Sequence, residues 1–356
     1  MKALVYNGPE DIRYQDYQDP ELRDARDMLV RITRCGICGS DLHIYHGNNP
    51  APPEITRSNS PGYCVGHEAL GEVVEVGREV RNFRSGDQVV LSGAVGCGDC
   101  LPCRLGQMTQ CEKVVRTYGL GHSLQGCQAE AVTVPVADFN AMRIPDGLSP
   151  NQALMLTDNL PTAFFGCRNA DVRPGRTVVV VGLGPIGLMA VECAQAIGAS
   201  RVFAIDPIAE RRQVAASLGA TPLDPASAME EVREATRGKM ADCAVEAVGL
   251  DKTVRLALDI VGLAGTVSVV GVNLSSGFSF PMGQSFGRGL TFRIGGCSVQ
   301  SFWPELVPLI QSGRLHPERF VTHEMPLEDG PKAYRMFANR EEGALKFVLT
   351  PGRAGV

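Results

Sequence analysis

A glycine-rich segment near the middle of the chain constrains the fold more than any other stretch. The residues VVVVGLGPIG place Gly182, Gly184 and Gly187 in the pattern GxGxxG, after an apolar run and at the start of a helical pattern. The first glycine of this pattern permits a tight turn, the second lets a pyrophosphate approach the backbone, and the third lets the helix pack closely on the strand. Asp206 follows the next apolar run, where a carboxylate can accept hydrogen bonds from both ribose hydroxyls. The segment therefore predicts dinucleotide binding.

The same segment favours one dinucleotide over the other. The Asp206 carboxylate would repel a 2′-phosphate, so NAD is favoured over NADP. The role of Arg211 and Arg212 stays open: these side chains either flank the adenine or are solvated charges on a helix. N–H groups at the start of the glycine-rich helix would bind the phosphates. The predicted cofactor-binding residues of this segment are Gly182, Gly184, Pro185, Ile186, Gly187, Asp206 and Arg211.

The pattern of the chain changes near residue 150. Before it, short β-type runs such as ALGEVVEVG are separated by Gly, Pro, Asn and Asp turns, which is typical of a mainly β domain. From Thr177 onward, apolar runs alternate with helical patterns, as in a parallel sheet of about six strands with crossover helices. The length of 356 residues also favours two domains. We therefore expect an α/β protein with one mainly β half and one doubly wound half.

Composition narrows the classes of partner. The net charge is −5 and no run of like charges occurs, so neither nucleic acid nor an anionic membrane is expected to bind, and small molecules are favoured. No apolar stretch reaches the roughly 18 residues of a membrane span, and the first residues lack the apolar core of a signal peptide. These features predict a cytoplasmic location. In a reducing compartment, the twelve cysteines are expected to be metal ligands or buried apolar residues.

Four cysteines form a dense cluster with the spacing C-x2-C-x2-C-x7-C. Four thiolates from one short lobe suit tetrahedral zinc. A disulfide pair is disfavoured in a reducing compartment, and the spacing differs from those of common iron–sulfur sites. Because four thiolates fill every coordination position, this zinc would be structural. The predicted ligands are Cys97, Cys100, Cys103 and Cys111.

A catalytic zinc needs an open coordination position, which requires three protein ligands and a vacancy. Three stretches contain candidate ligands: CGICGSDLHIYHG, GHE and LMLTDNLPTAFFG. Taken alone, each candidate has a simpler interpretation, because a single cysteine is often core, a histidine often lies at the surface, and Asp beside Asn is often a turn or cap. The candidates are Cys35, Cys38, His43, His46, His67, Glu68 and Asp158.

Five motifs in this order and spacing resemble the zinc-dependent alcohol dehydrogenases of the medium-chain dehydrogenase/reductase superfamily. They are GICGSDLH, GHE, the four-cysteine lobe, TDNLPTAFFG and GLGPIG, and they span nearly the whole chain. The resemblance implies a GroES-like, mainly β catalytic domain at 1–152 and 297–356, with the structural zinc lobe at about 95–113. A Rossmann domain at 153–296 would be inserted, with the active site in the cleft between the domains. Related subunits pair through edge strands of the Rossmann sheet, here GTVSVVGV and LTFRIGG, which implies a homodimer or homotetramer.

The resemblance also implies the catalytic zinc ligands. Cys38 matches the ligand before Ser-Asp, and His67 matches the histidine of GHE. Asp158 stands where liver-type enzymes have a second cysteine, and in this it is similar to the bacterial secondary alcohol dehydrogenases. Glu68 would be either a fourth ligand or a group acting from outside the ligand set. Asp41 is placed to hold the His67 ring N–H.

The family mechanism would proceed through an alkoxide. Zinc lowers the hydroxyl pKa of the bound alcohol, and the alkoxide gives hydride to the nicotinamide. Ser40 resembles the hydroxyl that accepts the proton of the alcohol in this family. His43 resembles the residue that receives the proton next in the proton relay. His46 is expected to lie at the surface or in the pocket wall. Backbone groups of Val270, Val272 and Ile294 are expected near the nicotinamide.

Three hypotheses follow from these features. The first is an NAD- and zinc-dependent alcohol dehydrogenase that interconverts an alcohol, with secondary alcohols favoured, and a ketone or aldehyde. The second is a polyol or sugar dehydrogenase, or an enzyme acting on a thiol adduct, of the same superfamily, with the Pro-rich loop 48–61 reshaping the pocket. The third is a non-catalytic NAD-binding protein whose zinc is only structural. Aromatic and apolar candidates for the pocket wall are Tyr45, Leu120, Phe286 and Trp303.

Overall fold

The computed structural model describes residues 1–48, 62–113, 117–119 and 124–352. Contacts divide the chain into a first unit, Met1–Pro161 with Ser298–Val356, and a second unit, Thr162–Cys297. Leu120 and nearly all of the loop 48–61 lie outside the described residues. Among the residues described, no helix is both long and apolar enough to cross a membrane.

The elements follow in chain order. The strands are β1 (Lys2–Gly8), β2 (Asp11–Asp16), β3 (Met28–Ile37), β4 (Tyr63–Cys64), β5 (Ala69–Val76), β6 (Gln88–Leu91), β7 (Ala131–Val134), β8 (Ala141–Arg143), β9 (Thr177–Val181), β10 (Arg201–Ile205), β11 (Thr221–Leu223), β12 (Ala241–Glu246), β13 (Val261–Val269), β14 (Thr291–Ile294), β15 (His323–Pro326) and β16 (Phe347–Thr350). The α-helices are α1 (Gly39–Tyr45), α2 (Leu101–Arg104), α3 (Ala137–Asn140), α4 (Pro150–Met155), α5 (Asn159–Asn169), α6 (Pro185–Ile197), α7 (Ala209–Ser217), α8 (Ala228–Ala235), α9 (Asp251–Ile260), α10 (Met282–Arg288), α11 (Trp303–Gln311) and α12 (Gly330–Asn339). Short 3-10 turns cover Met108–Gln110, Val299–Phe302, Pro317–Phe320, Leu327–Asp329 and Glu341–Gly343.

The first unit is built mainly of β-strands. Its larger sheet has the order β15-β16-β3-β5-β6-β8, with β7 also paired to β3, and a second sheet has the order β2-β1-β4. Strand β16 comes from the later chain segment and pairs antiparallel with β3, where Phe347 lies opposite Ile37. Val30, Leu91 and Phe347 belong to one buried apolar cluster, so both chain segments share a single core. The chain that precedes the second unit and the chain that follows it therefore fold together.

The second unit is a parallel sheet of six strands in the order β11-β10-β9-β12-β13-β14. Strand β9 has a continuous apolar run that is buried throughout, as expected for a parallel sheet with both faces covered. The direction of strand addition reverses between β9 and β12, which is the topological switch point of a doubly wound fold. The sequence-based prediction of about six parallel strands is confirmed.

The edge of this sheet differs from the prediction in one respect. Strand β13 begins earlier than expected, at Val261, and pairs with β12 on one side and β14 on the other. The segment GTVSVVGV is therefore interior rather than an edge strand. Within the described chain, the sheet ends at β14 on this side and at β11 on the other.

Candidate active site

Four side chains that are distant in sequence meet in the first unit. One ligand atom from each of Cys38, His67, Glu68 and Asp158 lies within 4.8 Å of all the others. Asp158 Oδ2 is 3.6 Å from both Cys38 Sγ and His67 Nε2. Cys38, His67 and Glu68 are buried, whereas Asp158 is partly exposed. The structure thus brings together the three ligands that the family resemblance implies, with Glu68 beside them.

The ends of regular elements position these groups. Cys38 follows the last residue of β3 and starts helix α1, and Asp41 in the first turn of that helix turns back toward it. Asp41 Oδ2 accepts a hydrogen bond from the Cys38 backbone N–H at 2.9 Å, while Asp41 Oδ1 lies 3.3 Å from His67 Nδ1. One buried carboxylate therefore holds the backbone of the cysteine and faces the ring nitrogen of the histidine. This arrangement turns His67 Nε2 toward Asp158.

Glu68 is held at both carboxylate oxygens. The Lys346 ammonium forms an ion pair with Oε2, and it also donates to the Ile37 carbonyl at 3.1 Å. The Asn159 side-chain amide donates to Oε1 at 2.8 Å. Both partners are buried, and Lys346 is fully so. A methyl group at Gly36 would overlap the Glu68 carboxylate, so a side chain at this point of β3 would displace Glu68 from its present position.

Sequence reasoning missed Lys346 and Asn159. Lys346 gave a weak signal, because it is a lone charge at the start of the apolar run LKFVLTP. Asn159 directly follows Asp158, where Asp-Asn is typical of a turn or a cap. Their partner, Glu68, is distant in sequence, so the pairing depends on the tertiary fold.

The electrostatics of this cluster suit a cation. Burial raises the pKa of the Cys38 thiol, and the nearby Asp158 carboxylate raises it further. Burial alone would lower the pKa of His67, but the Asp41 and Asp158 carboxylates hold it well above its ordinary value. A thiol, an imidazole and carboxylates are the donor types that zinc accepts in catalytic sites, and metal binding releases their protons. The residues present therefore fit a zinc ion.

The four cysteines of the dense cluster also converge. Their sulfur atoms lie within 4.8 Å of one another, and Cys100 Sγ is 3.9 Å from Cys111 Sγ. Backbone N–H groups of Glu112 and Cys103 lower the pKa of Cys100 to about 6, as expected where a thiolate is stabilised by donors. The set of four buried sulfur donors fits a tetrahedral zinc.

The buried Asn140 side chain ties this lobe to the rest of the first unit. Its amide donates to the Gly96 carbonyl at 2.8 Å, and its oxygen accepts from the Gly96 N–H at 2.9 Å. The same oxygen accepts from the Gln300 amide, which also donates to the Ala94 carbonyl. Hydrogen bonds to Ala94 and Gly96, just before the first cysteine, therefore anchor the lobe to the rest of the first unit.

Ser40 and His43 both lie on α1, and Ser40 approaches the ligand cluster. Ser40 Oγ is 3.5 Å from His67 Nε2, and both Ser40 and His43 are partly exposed. Burial lowers the pKa of His43, and the charge of His46 lowers it further. His46 itself is exposed and lies 3.6 Å from the Glu10 carboxylate.

The candidates for the pocket wall lie in different environments. Tyr45 is buried in the core of the first unit, where its ring stacks on Tyr334 with 5.7 Å between centroids. Trp303 is also buried, and its indole N–H donates to the Leu156 carbonyl at 2.9 Å. Phe286, in the second unit, is 88% exposed.

The glycine-rich turn of the second unit has the geometry that the fingerprint requires. Gly182 has φ +91°, in the region that favours glycine, and a side chain there would overlap Val248. A Cβ at Gly187 would overlap the Gly182 carbonyl, whereas a Cβ at Gly184 would meet no atom within 4 Å. The backbone at Gly184 is therefore open to an approaching group, at the start of helix α6. Pro185 and Ile186 form the first positions of that helix.

Asp206 lies directly after β10 and faces this turn. Its carboxylate accepts from the backbone N–H groups of Leu183 and Ile208, each at 2.8 Å. Arg211 Nη1 is 3.9 Å from Asp206 Oδ2, whereas Arg212 donates to the Asp206 carbonyl. A carboxylate has about four lone-pair sites, so Asp206 retains acceptor capacity for a ligand. The donors and the open glycine backbone fit a dinucleotide.

The remaining cofactor candidates lie at the carboxyl ends of the neighbouring strands. Val270 directly follows β13, and its N–H donates to the Glu246 carbonyl at the end of β12. Ile294 is the last residue of β14, and both it and Val272 are exposed. Ligands of open α/β sheets bind outside these strand ends.

Comparisons with known proteins agree with the fold and with the donor sets. Residues 24–146 match the alcohol dehydrogenase GroES-like domain, and residues 185–312 match the zinc-binding dehydrogenase family. A probable zinc-binding alcohol dehydrogenase of Mycobacterium tuberculosis is 40% identical over 351 residues, covering 99% of this chain and 89% of the relative. The predicted combination of a GroES-like part and a Rossmann part is thereby confirmed.

Two solved structures are similar over the full length. The alcohol dehydrogenase TADH from Thermus sp. ATN1 has a TM-score of 0.92 and 41% identity, covering 99% of this chain and 100% of the other. Zinc-dependent alcohol dehydrogenase 2 from Streptococcus pneumoniae has a TM-score of 0.90 and 32% identity, with all of both chains covered. The chain described here belongs to the zinc-binding alcohol dehydrogenases and is an oxidoreductase.

Proposed function

We propose that this protein transfers a hydride between an alcohol, with secondary alcohols favoured, and NAD, at a zinc ion held by Cys38, His67 and Asp158. The convergence of these three side chains in the first unit carries the proposal. When bound, the zinc would act as a Lewis acid that lowers the hydroxyl pKa of the alcohol. The reverse reaction would reduce a ketone or an aldehyde. The GroES-like part is assigned to 1–152 and 297–356, and the Rossmann part to 153–296.

The side chains of α1 would move the alcohol proton. Ser40 Oγ lies 3.5 Å from the Nε2 atom of His67, so its hydroxyl is within reach of a group at the ligand cluster. A hydroxyl both accepts and donates a proton, which suits a relay. His43 lies three residues later on the same helix and is partly exposed. We assign the order of proton transfer as alcohol, Ser40, His43 and solvent.

A second zinc would be structural. Cys97, Cys100, Cys103 and Cys111 supply four donors, so no coordination position would be left for a substrate. The protein is therefore assigned two zinc ions per chain. No disulfide joins any of the twelve cysteines, all of which lie in the described part of the chain, and this supports the proposed cytoplasmic location.

Metal content and a substrate panel test the function. Elemental analysis of the purified protein is expected to give two zinc ions per chain. NADH absorbance is then followed with primary alcohols, secondary alcohols, polyols and hydroxymethyl-thiol adducts, and the secondary alcohols are expected to give the highest kcat/KM. Activity confined to polyols or thiol adducts would favour the second hypothesis. One zinc per chain without any turnover would favour a non-catalytic NAD-binding protein.

Replacement of Asp206 is expected to change the cofactor preference. In Asp206→Ala the ribose hydroxyls lose a charged acceptor, so KM for NAD should rise roughly tenfold to a hundredfold, while KM for NADP should rise less or fall. Steady-state kinetics with both cofactors measure the change. Asp224→Ala is the matched control, because it removes a half-exposed carboxylate that pairs with Arg212 in the same unit. An unchanged NAD to NADP ratio in Asp206→Ala would contradict the proposed role.

We also propose that the protein forms a homodimer or homotetramer through the β14 edge of the Rossmann sheet. An exposed edge strand can pair with another chain, and large exposed apolar residues mark interfaces. Phe286 in α10 is 88% exposed and Ile294 in β14 is 62% exposed. Light scattering is expected to give two or four times the chain mass of 38.1 kDa. Phe286→Lys should lower that mass, whereas Val74→Lys, at an exposed position of the first unit, should leave it unchanged.

A further inference from the structure

One amide contacts three of the acidic groups of the candidate zinc site. Asn159 is the first residue of α5 and is only 2% exposed. Its Nδ2 atom is 2.8 Å from Glu68 Oε1, 3.2 Å from Asp158 Oδ2 and 3.5 Å from Cys38 Sγ. A side-chain amide nitrogen has two N–H donors, so it can serve two acceptors fully. The distances assign these donors to the two carboxylates.

The two carboxylates differ in how their oxygens are used. Glu68 has a donor on each oxygen, Asn159 on Oε1 and the Lys346 ammonium on Oε2, and it is almost completely buried. Asp158 is more exposed, and its Oδ2 atom faces both Cys38 Sγ and His67 Nε2 at 3.6 Å. Glu68 is therefore engaged by protein donors, while Asp158 faces the other ligand atoms.

We propose that Asn159 is a positioning residue that decides which of the two carboxylates ligates the metal. Its amide keeps Glu68 bound to protein donors and off the metal, and it orients Asp158 Oδ2 toward Cys38 and His67. One coordination position is thereby left for the alcohol. This inference rests on the proposed function, since it requires a metal at the site.

The reason is the cost of a buried carboxylate oxygen without a donor. If Asn159 lost its amide, Glu68 Oε1 would keep no donor that the structure provides, and a buried unsatisfied charged group is expensive. The bound cation would then be the best available partner for that oxygen, and Glu68 already lies within 4.8 Å of the other ligand atoms. Glu68 would then bind as a fifth ligand beside the group in the open position, and it would compete with the alcohol for the metal.

Cobalt(II) in place of zinc is the probe for the number of ligands. Four-coordinate cobalt has intense visible d–d bands, and these bands weaken when a fifth ligand binds. The four-cysteine site is the same in all variants, so its contribution cancels in difference spectra. We expect Asn159→Leu to bind two cobalt ions per chain and to show weaker bands from the catalytic site than the unaltered protein. The double variant Asn159→Leu with Glu68→Gln should regain the intense bands.

Kinetics of the zinc-loaded protein give a second readout. Because the competent state is less populated when Glu68 competes, KM for the alcohol should rise about tenfold or more in Asn159→Leu, with a smaller effect on kcat. Asn151→Leu is the matched control, since this amide bonds to the Glu324 carboxylate and to Arg34. It should change neither the spectrum nor KM. Asn159→Ala replaces Asn159→Leu if the larger side chain prevents folding.

The possible failures are distinguishable. If Asn159→Leu binds two cobalt ions with an unchanged spectrum and an unchanged KM, the positioning role is wrong while the proposed function stands. A KM that rises in Asn159→Leu and stays high in the double variant would also overturn the role, because Glu68 would then not be the competitor. If the unaltered protein binds only one metal ion per chain and turns over no alcohol, the catalytic zinc itself is refuted.

Discussion

Replacing Cys38 with serine is expected to leave a folded protein that binds NAD, retains one zinc ion per chain and has a kcat lower by roughly a thousandfold or more. Serine is a poor zinc ligand at neutral pH, and the remaining donors, His67 and Asp158, form an incomplete set. The residues proposed to bind the dinucleotide lie in the second unit, and all of them are kept in this variant. A zinc ion held by Cys38, His67 and Asp158 would supply Lewis-acid catalysis worth several kcal/mol, which sets the size of the loss.

Three measurements check this result on the same sample: zinc by elemental analysis, NADH binding by fluorescence titration, and turnover of a secondary alcohol. Cys35→Ser is the matched control, because Cys35 is a fully buried cysteine of β3, the strand that ends just before Cys38, and its sulfur faces the Leu349 carbonyl at 3.7 Å. It should keep two zinc ions and most of the activity. Two zinc ions and near-normal turnover in Cys38→Ser would contradict the proposed ligand set.

Replacing Cys100 with serine is expected to affect stability much more than chemistry. A structural zinc contributes directly to folding, and three thiolates bind it far less tightly than four. Cys100 Sγ also lies 3.9 Å from Cys111 Sγ, so the substitution removes one donor from a closely spaced set. The melting temperature should fall by roughly 5–10 °C, while kcat/KM of the protein that remains folded should change by less than about threefold.

Thermal unfolding with and without a chelator measures this effect. The chelator should lower the melting temperature of the unaltered protein toward that of Cys100→Ser, and it should have little further effect on the variant. The melting temperature of Cys38→Ser should fall less than that of Cys100→Ser. Equal melting temperatures for the two variants would refute the division into a catalytic and a structural site.

Local patterns predicted much of the second unit. The fingerprint at Gly182 and the helix that follows it depend on residues that are close in sequence. The start of β13 was missed because Val261 joins the sheet by pairing with Ala241, and the pairing is irregular before Cys243. Glycines at 262 and 265 give the stretch 261–265 the composition of a turn. Its strand conformation therefore became evident only from its pairing with the neighbouring strand β12.

The candidate metal site was predictable only in part. Cys38, His67 and Asp158 are each ambiguous when taken alone. They were predicted as a set only because the ordered motifs that contain them resemble those of a known family. Asn159 and Lys346 emerged only from the structure, since their roles depend on the position of Glu68 in the fold. A buried lysine opposite a buried glutamate is a tertiary property that no local spacing encodes.

The Lys346 ion pair has a consequence for the order of events during synthesis. A ribosome makes every proposed ligand of both zinc sites well before it makes Lys346, because the second unit and helices α11 and α12 lie between them in the chain. Until β16 joins β3, Glu68 lacks the ion pair that Lys346 gives it in the folded chain. The buried pair of Glu68 and Lys346 can therefore close only after nearly the whole described chain has been made, so the first unit completes its core late in synthesis.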